Sequence, residues 1–133
     1  LTGCQATKGG REARARNGVR HEGAGWVLTG TALEDGPGDL LGTLVGKIPN
    51  FRLLRSSGRC PIITLRGTAS IQGDSNPHVY VDGTRTADTC VLRSLRSHDV
   101  SRVEVYPQGV TLRPGYGTHA HGLILVFMRS AGG

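Results

Sequence analysis

Lysine is nearly absent from this sequence, occurring only at Lys8 and Lys47, so arginine carries the positive side of a formal net charge of +6. Aromatic residues are almost as scarce, with one Trp, two Phe and three Tyr. Arginines spread along the whole chain, few rings for bases to stack on and no recognised motif together argue against nucleic-acid binding. The cysteines, Cys4, Cys60 and Cys90, include no C-x-x-C pair, and none stands near a histidine at zinc-ligand spacing. No metal site and no cofactor is expected. Catalytic signatures are missing too. Cys60, His98 and Asp99 could be assembled into a hydrolase on paper, but the chain has neither a nucleophile elbow nor a local family signature, so no catalytic residue is assigned.

What is present divides the chain in two. At 133 residues it has the length of one domain. Residues 5–25, "QATKGGREARARNGVRHEGAG", are rich in Gly and Arg and contain almost no large apolar side chain, so they cannot bury a core face. Residues 1–25 are read as a flexible basic tether. Its arginines Arg11, Arg14, Arg16 and Arg20 are the expected contacts to an acidic partner surface or to anionic lipid headgroups. The opening "LTGCQ" fits the bacterial lipobox, in which the cysteine is lipidated, and on that reading Cys4 anchors the chain in an oxidising periplasm. The other reading leaves Cys4 a free or differently paired thiol.

From residue 26 to 133 the composition is that of a folded domain. "WVLTGTAL" has the content of a strand and "EDGPG" that of a turn. In "DLLGTLVGKI" the apolar residues Leu40, Leu41, Leu44, Val45 and Ile48 recur at helical spacing, with Asp39 as N-cap and Pro49 closing the end. Gly42 and Gly46 inside this helix cost propensity, which suggests close packing against a neighbour. "NFRLLRSSG" and "CPIITLRGTAS" read as strands, the latter with Ile63 and Leu65 on one face. "PHVYVDGT" is a strand ending in an Asp82-Gly83 turn. "DTCVLRSLRSHD" is a second short helix capped by Asp88 or Thr89, with Val91, Leu92 and Leu95 inward. "VSRVEVYPQ" alternates, Val103 and Val105 to one side and Arg102 and Glu104 to the other. "GLILVFMRS" is a continuous apolar run, the mark of a central strand buried on both faces. A small mixed sheet with two short helices makes an α+β domain.

The order "VGKIPNFRL", "ITLRG", "SIQGDSNPHVYVDGT", "HDVSRVEVYPQG", "YGTHAHGLILVF" resembles the plug domain of TonB-dependent outer-membrane receptors over roughly residues 26–129. The family's run is a helix closing in a Pro-Gly-Val type corner, then strands ending Ile-Arg-Gly and Val-Asp-Gly. An Asp-Ile-Glu-Ser-Ile-Glu-Val stretch follows, and a Tyr-Gly before an Asn-Gly-Val-Ile strand. Here His121 stands where the family has Asn. The sequence ends at "MRSAGG" with no barrel following and no evident TonB box in 5–25, so the expectation is a plug-like module standing alone. In the resemblance Asp82 belongs to a structural corner rather than to a chemical site.

Cys60 opens one strand and Cys90 the second helix. A bridge between them would close a loop of about 30 residues and stabilise by roughly 3 to 4 kcal/mol on the chain-entropy estimate. That would compensate a plug for a missing barrel wall. Redox catalysis is the alternative, although neither cysteine has the neighbours of a reactive thiol. His119 and His121, two apart, face the same way on an extended segment; His21, His78 and His98 look scattered and are assigned to surface or loop roles. Two functions are carried forward. One is a non-catalytic periplasmic module, a structural or adaptor subunit docked on a membrane protein complex. The other is an envelope protein that binds a small ligand, a siderophore or glycan, with Tyr116, His119 and His121 as contacts.

Overall fold

A computed structural model describes residues 18–36, 38–55, 59–65 and 76–129. Six strands form the main sheet: β1 (Val19–Glu22), β2 (Gly25–Thr29), β5 (His78–Val81), β6 (Thr84–Arg85), β7 (Val100–Tyr106) and β8 (Leu123–Met128), in the order β1-β2-β7-β8-β5-β6. β5 runs parallel to β8 and every other pair is antiparallel, so the sheet is mixed. β3 (Arg52–Arg55) and β4 (Ile62–Thr64) form a separate antiparallel pair. The α+β class expected from the sequence is the observed one.

The central position of β8 explains its apolar run. Both its edges are paired and Leu123, Ile124, Leu125 and Val126 are all buried, so none of these four positions faces water. Among the described residues, three short helices, α1 (Thr31–Glu34), α2 (Leu40–Lys47) and α3 (Val91–Ser94), pack together with a 3-10 turn at Ser97–Asp99, α1 also lying against β2 and β7. The core comprises Leu28, Val79, Val103, Val105, Ile124 and Val126 from the sheet and Leu33, Leu40, Leu44, Ile48 and Leu92 from the helical segments, with Ile63 and Leu65 from β4 and its end. Burial of each large aliphatic side chain contributes roughly 1.5–3 kcal/mol of transfer free energy.

Several elements depart from expectation for visible reasons. "WVLTGTAL" stays extended only to Thr29; the Gly30 carbonyl then accepts from the N–H groups of Leu33 and Glu34 and turns "TALE" into a helical turn that buries Ala32 and Leu33. α2 is capped as expected, Asp39 Oδ1 accepting from the Gly42 N–H at 2.9 Å, but Val45 is exposed. No atom lies within 4 Å of where a Gly46 side chain would stand, so close packing does not account for that glycine. α3 is one turn long. The Asp88 carboxylate accepts from the Cys90 N–H, while the Thr89 hydroxyl donates instead to the Pro61 carbonyl, so neither side chain caps the helix proper.

The sheet begins at Val19, inside the stretch read as tether. The turn at Gly23 and Ala24 folds β1 back onto β2, with Arg20 opposite Val27 and His21 opposite Trp26. Arg20 is therefore a strand residue, ion-paired with Glu22 at 2.9 Å. Cys4, Arg11, Arg14 and Arg16 lie outside the described residues.

Candidate functional site

Strand alternation sends Leu28, Val79, Val103, Val105, Ile124 and Val126 into the core, so their neighbours must emerge on the opposite face of the sheet. Register places these neighbours in transverse rows. Arg20, Val27, Glu104, Leu125, Tyr80 and Arg85 lie side by side across all six strands, and Tyr106, Leu123 and His78 form a second row. Such a face would be wet in an open sheet. Here Val27, Leu123 and Leu125 are buried although they stand outside the core cluster. The chain between β7 and β8, residues 107–122, lies over them as a strap.

The strap is fastened at two places. At the first, Glu104 is only 1% exposed and both carboxylate oxygens are filled. Oε1 accepts from the Tyr106 hydroxyl at 2.6 Å and from Arg113 Nε at 2.8 Å; Oε2 accepts from Arg113 Nη2 at 2.6 Å and Arg102 Nε at 2.5 Å. The Arg113 guanidinium also sits 4.7 Å above the Phe127 ring. Burial pushes the Glu104 carboxyl up, but the hydrogen bonds from Arg113, Tyr106 and Arg102 outweigh it and hold the pKa at about 2, against an ordinary 4.5. Burial, then the Glu104 carboxylate, raises the Tyr106 phenol, and hydrogen bonding to Glu104 raises Arg113. Arg102 reaches on to Glu22 at 3.4 Å, so charge alternates from Arg20 through Glu22, Arg102 and Glu104 to Arg113. A carboxylate so acidic, with all its acceptor positions taken, is an anchor and not a general base.

At the second fastening, Tyr116 meets the Tyr80 ring edge-on at 4.9 Å and His119 stacks on His78 at 3.5 Å, with His121 5.7 Å from His119. Backbone bonds complete it: Gly109 donates to Tyr106, His119 to Gly109 and Gly122 to His119. Both His78 and His119 are pushed below the usual imidazole value. For His78 the causes are burial, then His119, then Arg85; for His119 they are burial, then His121 and Arg85, opposed by a hydrogen bond to the Gly122 backbone.

Three of the expected contact residues, Tyr116, His119 and His121, thus belong to one strap, and the structure adds His78, which the sequence left among scattered histidines. Cys60 and Cys90 are joined in a disulfide with Cα atoms 4.5 Å apart, tying the start of β4 to α3. The metal-type donor atoms that lie together among the described residues are those of Cys60, Asp88 and Cys90, and that bridge already engages both sulfurs. Asp82 and Gly83 both take positive φ, 51° and 87°, as a tight hairpin turn requires, and the Asp82 carboxylate accepts from the Met128 N–H. The residues missed from sequence are Tyr106 and Arg113. Alternation in "VEVY" puts Tyr106 beside Glu104, but nothing local signals that Arg113 returns to both.

Two hollows flank the strap on this side. One of about 610 Å³ is lined by Arg102, Glu104, Tyr106 and Arg113 together with Val110 and Leu112, which are 50% and 98% exposed. A smaller one of about 180 Å³ lies between His78, Arg85 and His119.

No protein-family model matches this sequence, and no curated protein matches it. Solved structures do. The fold is similar to part of the RagAB peptide importer in its closed-closed state, with a TM-score of 0.62 and 20% identity over 84% of this chain and 13% of that one. It is also similar to part of the copper transporter OprC, with a TM-score of 0.53 and 19% identity over 86% of this chain and 18% of that one. The chain thus spans less than a fifth of either relative. Among the described residues no helix is long and apolar enough to cross a membrane. The likeness to segments of these two transport proteins is one of fold.

Proposed function

We propose that this chain is a non-catalytic structural or adaptor module of the cell envelope that docks on a membrane protein complex through its strapped sheet face. The observation that carries the reading is the strap's exposed tip. Leu112 is 98% exposed and Val110 50%, beside a hollow of about 610 Å³, while the segment bearing them is held rigidly from below by Glu104. Apolar side chains displayed on a braced loop are the anatomy of an interface core, ringed here by Arg102, Arg113 and Glu22 as a polar rim. The plug-like fold supports a membrane protein as the partner. A periplasmic location, lipidation at Cys4 and lipid contacts by Arg11, Arg14 and Arg16 belong to the same reading.

Gentle purification of the native protein tests it. A membrane protein should co-migrate in stoichiometric amount and be lost with Leu112→Glu, while the variant keeps its thermal midpoint. A wild-type chain that purifies alone overturns the reading. The second reading, a siderophore or glycan held by Tyr116, His119 and His121, is less favoured. Tyr116 and His119 pack onto Tyr80 and His78, and the hollow beside them, about 180 Å³, is small for such a ligand.

A further inference from the structure

The smaller hollow fits a different occupant. His78 from β5, Arg85 from β6 and His119 from the strap come from three separate segments and border one concavity of about 180 Å³, with Asn76 and Thr86 beside them. Register puts Arg85 opposite Tyr80 on the face that carries His78, which is how β6, only two residues long, delivers a guanidinium to this place. Arg85 forms no ion pair among the described residues, and the imidazole nitrogens of His78 have no hydrogen-bond partner there. A fixed cation facing two titratable rings is poorly arranged for the protein alone, since each added proton is repelled by the other ring and by Arg85.

We propose that this concavity is a binding site for a small oxyanion of the phosphate or carboxylate class. Arg85 supplies the permanent charge and forked donors. His78 and His119 supply further N–H donors once protonated, and His121 stands behind His119 on the strap. Among the described residues, the one carboxylate lining the hollow is Asp88, exposed, with an oxygen accepting from the Cys90 N–H at 2.9 Å. An anion in the hollow at the edges of the stacked rings offsets their mutual repulsion, so binding takes up protons and affinity rises as pH falls through the imidazole range. The site does not depend on the docking surface around Leu112.

Calorimetric titration of the full, disulfide-intact chain with inorganic phosphate, at constant ionic strength, tests this at about pH 5.5 and about pH 7.5, either side of the ordinary imidazole value. Saturable binding, several-fold tighter at the lower pH and not reproduced by chloride, is expected; a parallel acetate titration tells a phosphate site from a carboxylate site. Arg85→Gln, on an exposed edge strand, should weaken binding roughly tenfold, the loss of about one charge-assisted hydrogen bond. His78→Asn should lessen the pH dependence, since His119 still titrates. Absence of saturable binding at the lower pH, or unchanged affinity in Arg85→Gln, overturns the proposal. Leu112→Glu should leave phosphate binding as it is, so this result and the docking result can fail separately.

Discussion

Glu104 is the residue on which the second face of the sheet depends. Its pKa of about 2, against an ordinary 4.5, makes the clamp worth roughly 3 kcal/mol at neutral pH. The carboxyl's folded pKa is depressed, so this stability is whole above about pH 4.5 and is lost as pH falls toward 2. Glu104→Gln should cost a similar amount, because two guanidiniums then face a neutral amide. Urea denaturation across pH checks it: the variant's stability should be nearly flat over the interval where the wild type declines. The stacked histidines act at higher pH. Their folded values are lowered, so the unfolded chain takes up protons first and stability begins to fall as pH drops below about 6.5, the ordinary imidazole value. His78→Asn should remove part of that early loss without touching the later one.

At the scale of elements, α2 and the strap respond to small residues in opposite ways. Gly46 lies in α2 with open space around it, so Gly46→Ala should stabilise by about 0.5–1 kcal/mol, read as a raised thermal midpoint. Gly109 sits in the strap at φ 75°, where a side chain would run into the His119 carbonyl. Gly109→Ala should destabilise by roughly 1–3 kcal/mol and loosen the strap, seen as faster amide exchange at His119 and Gly122. The disulfide joins two elements that each bury little by themselves, the β3–β4 pair and the single turn of α3. Reduction should cost roughly 2–4 kcal/mol, and thiol titration of the native protein should find Cys60 and Cys90 unreactive until a reductant is added.

Over the whole molecule, the two faces of the sheet are stabilised by different means. One carries helices and an aliphatic core; the other, among the described residues, is closed by an irregular segment held by ions and rings. An irregular cover is cheaper to alter than a packed layer, which suits the docking role proposed for this face. Leu112 is so exposed that Leu112→Glu should change folding stability by no more than about 0.5 kcal/mol while abolishing the proposed association with a membrane protein. Equal loss of both would make Leu112 part of the fold rather than of an interface.

Local features of the sequence were sufficient for much of the architecture. Alternation in "VSRVEVY" assigns its two faces, the unbroken "LILVF" identifies the central strand, Asp39 marks a helix start, and Asp82-Gly83 closes a hairpin because those φ values suit a glycine and a neighbouring aspartate. Each of these depends on atoms a few bonds apart. Tertiary structure alone decided the rest. Whether Glu104 faces water or lies buried depends on Arg113 returning from the strap, and His78 acquires its meaning only when His119 is laid upon it. β1 counts as sheet because β2 is there to pair with it, although its composition is that of a tether. A charge pattern states which groups exist, but their burial and partners follow from chain segments meeting across long loops, and local sequence does not encode that meeting.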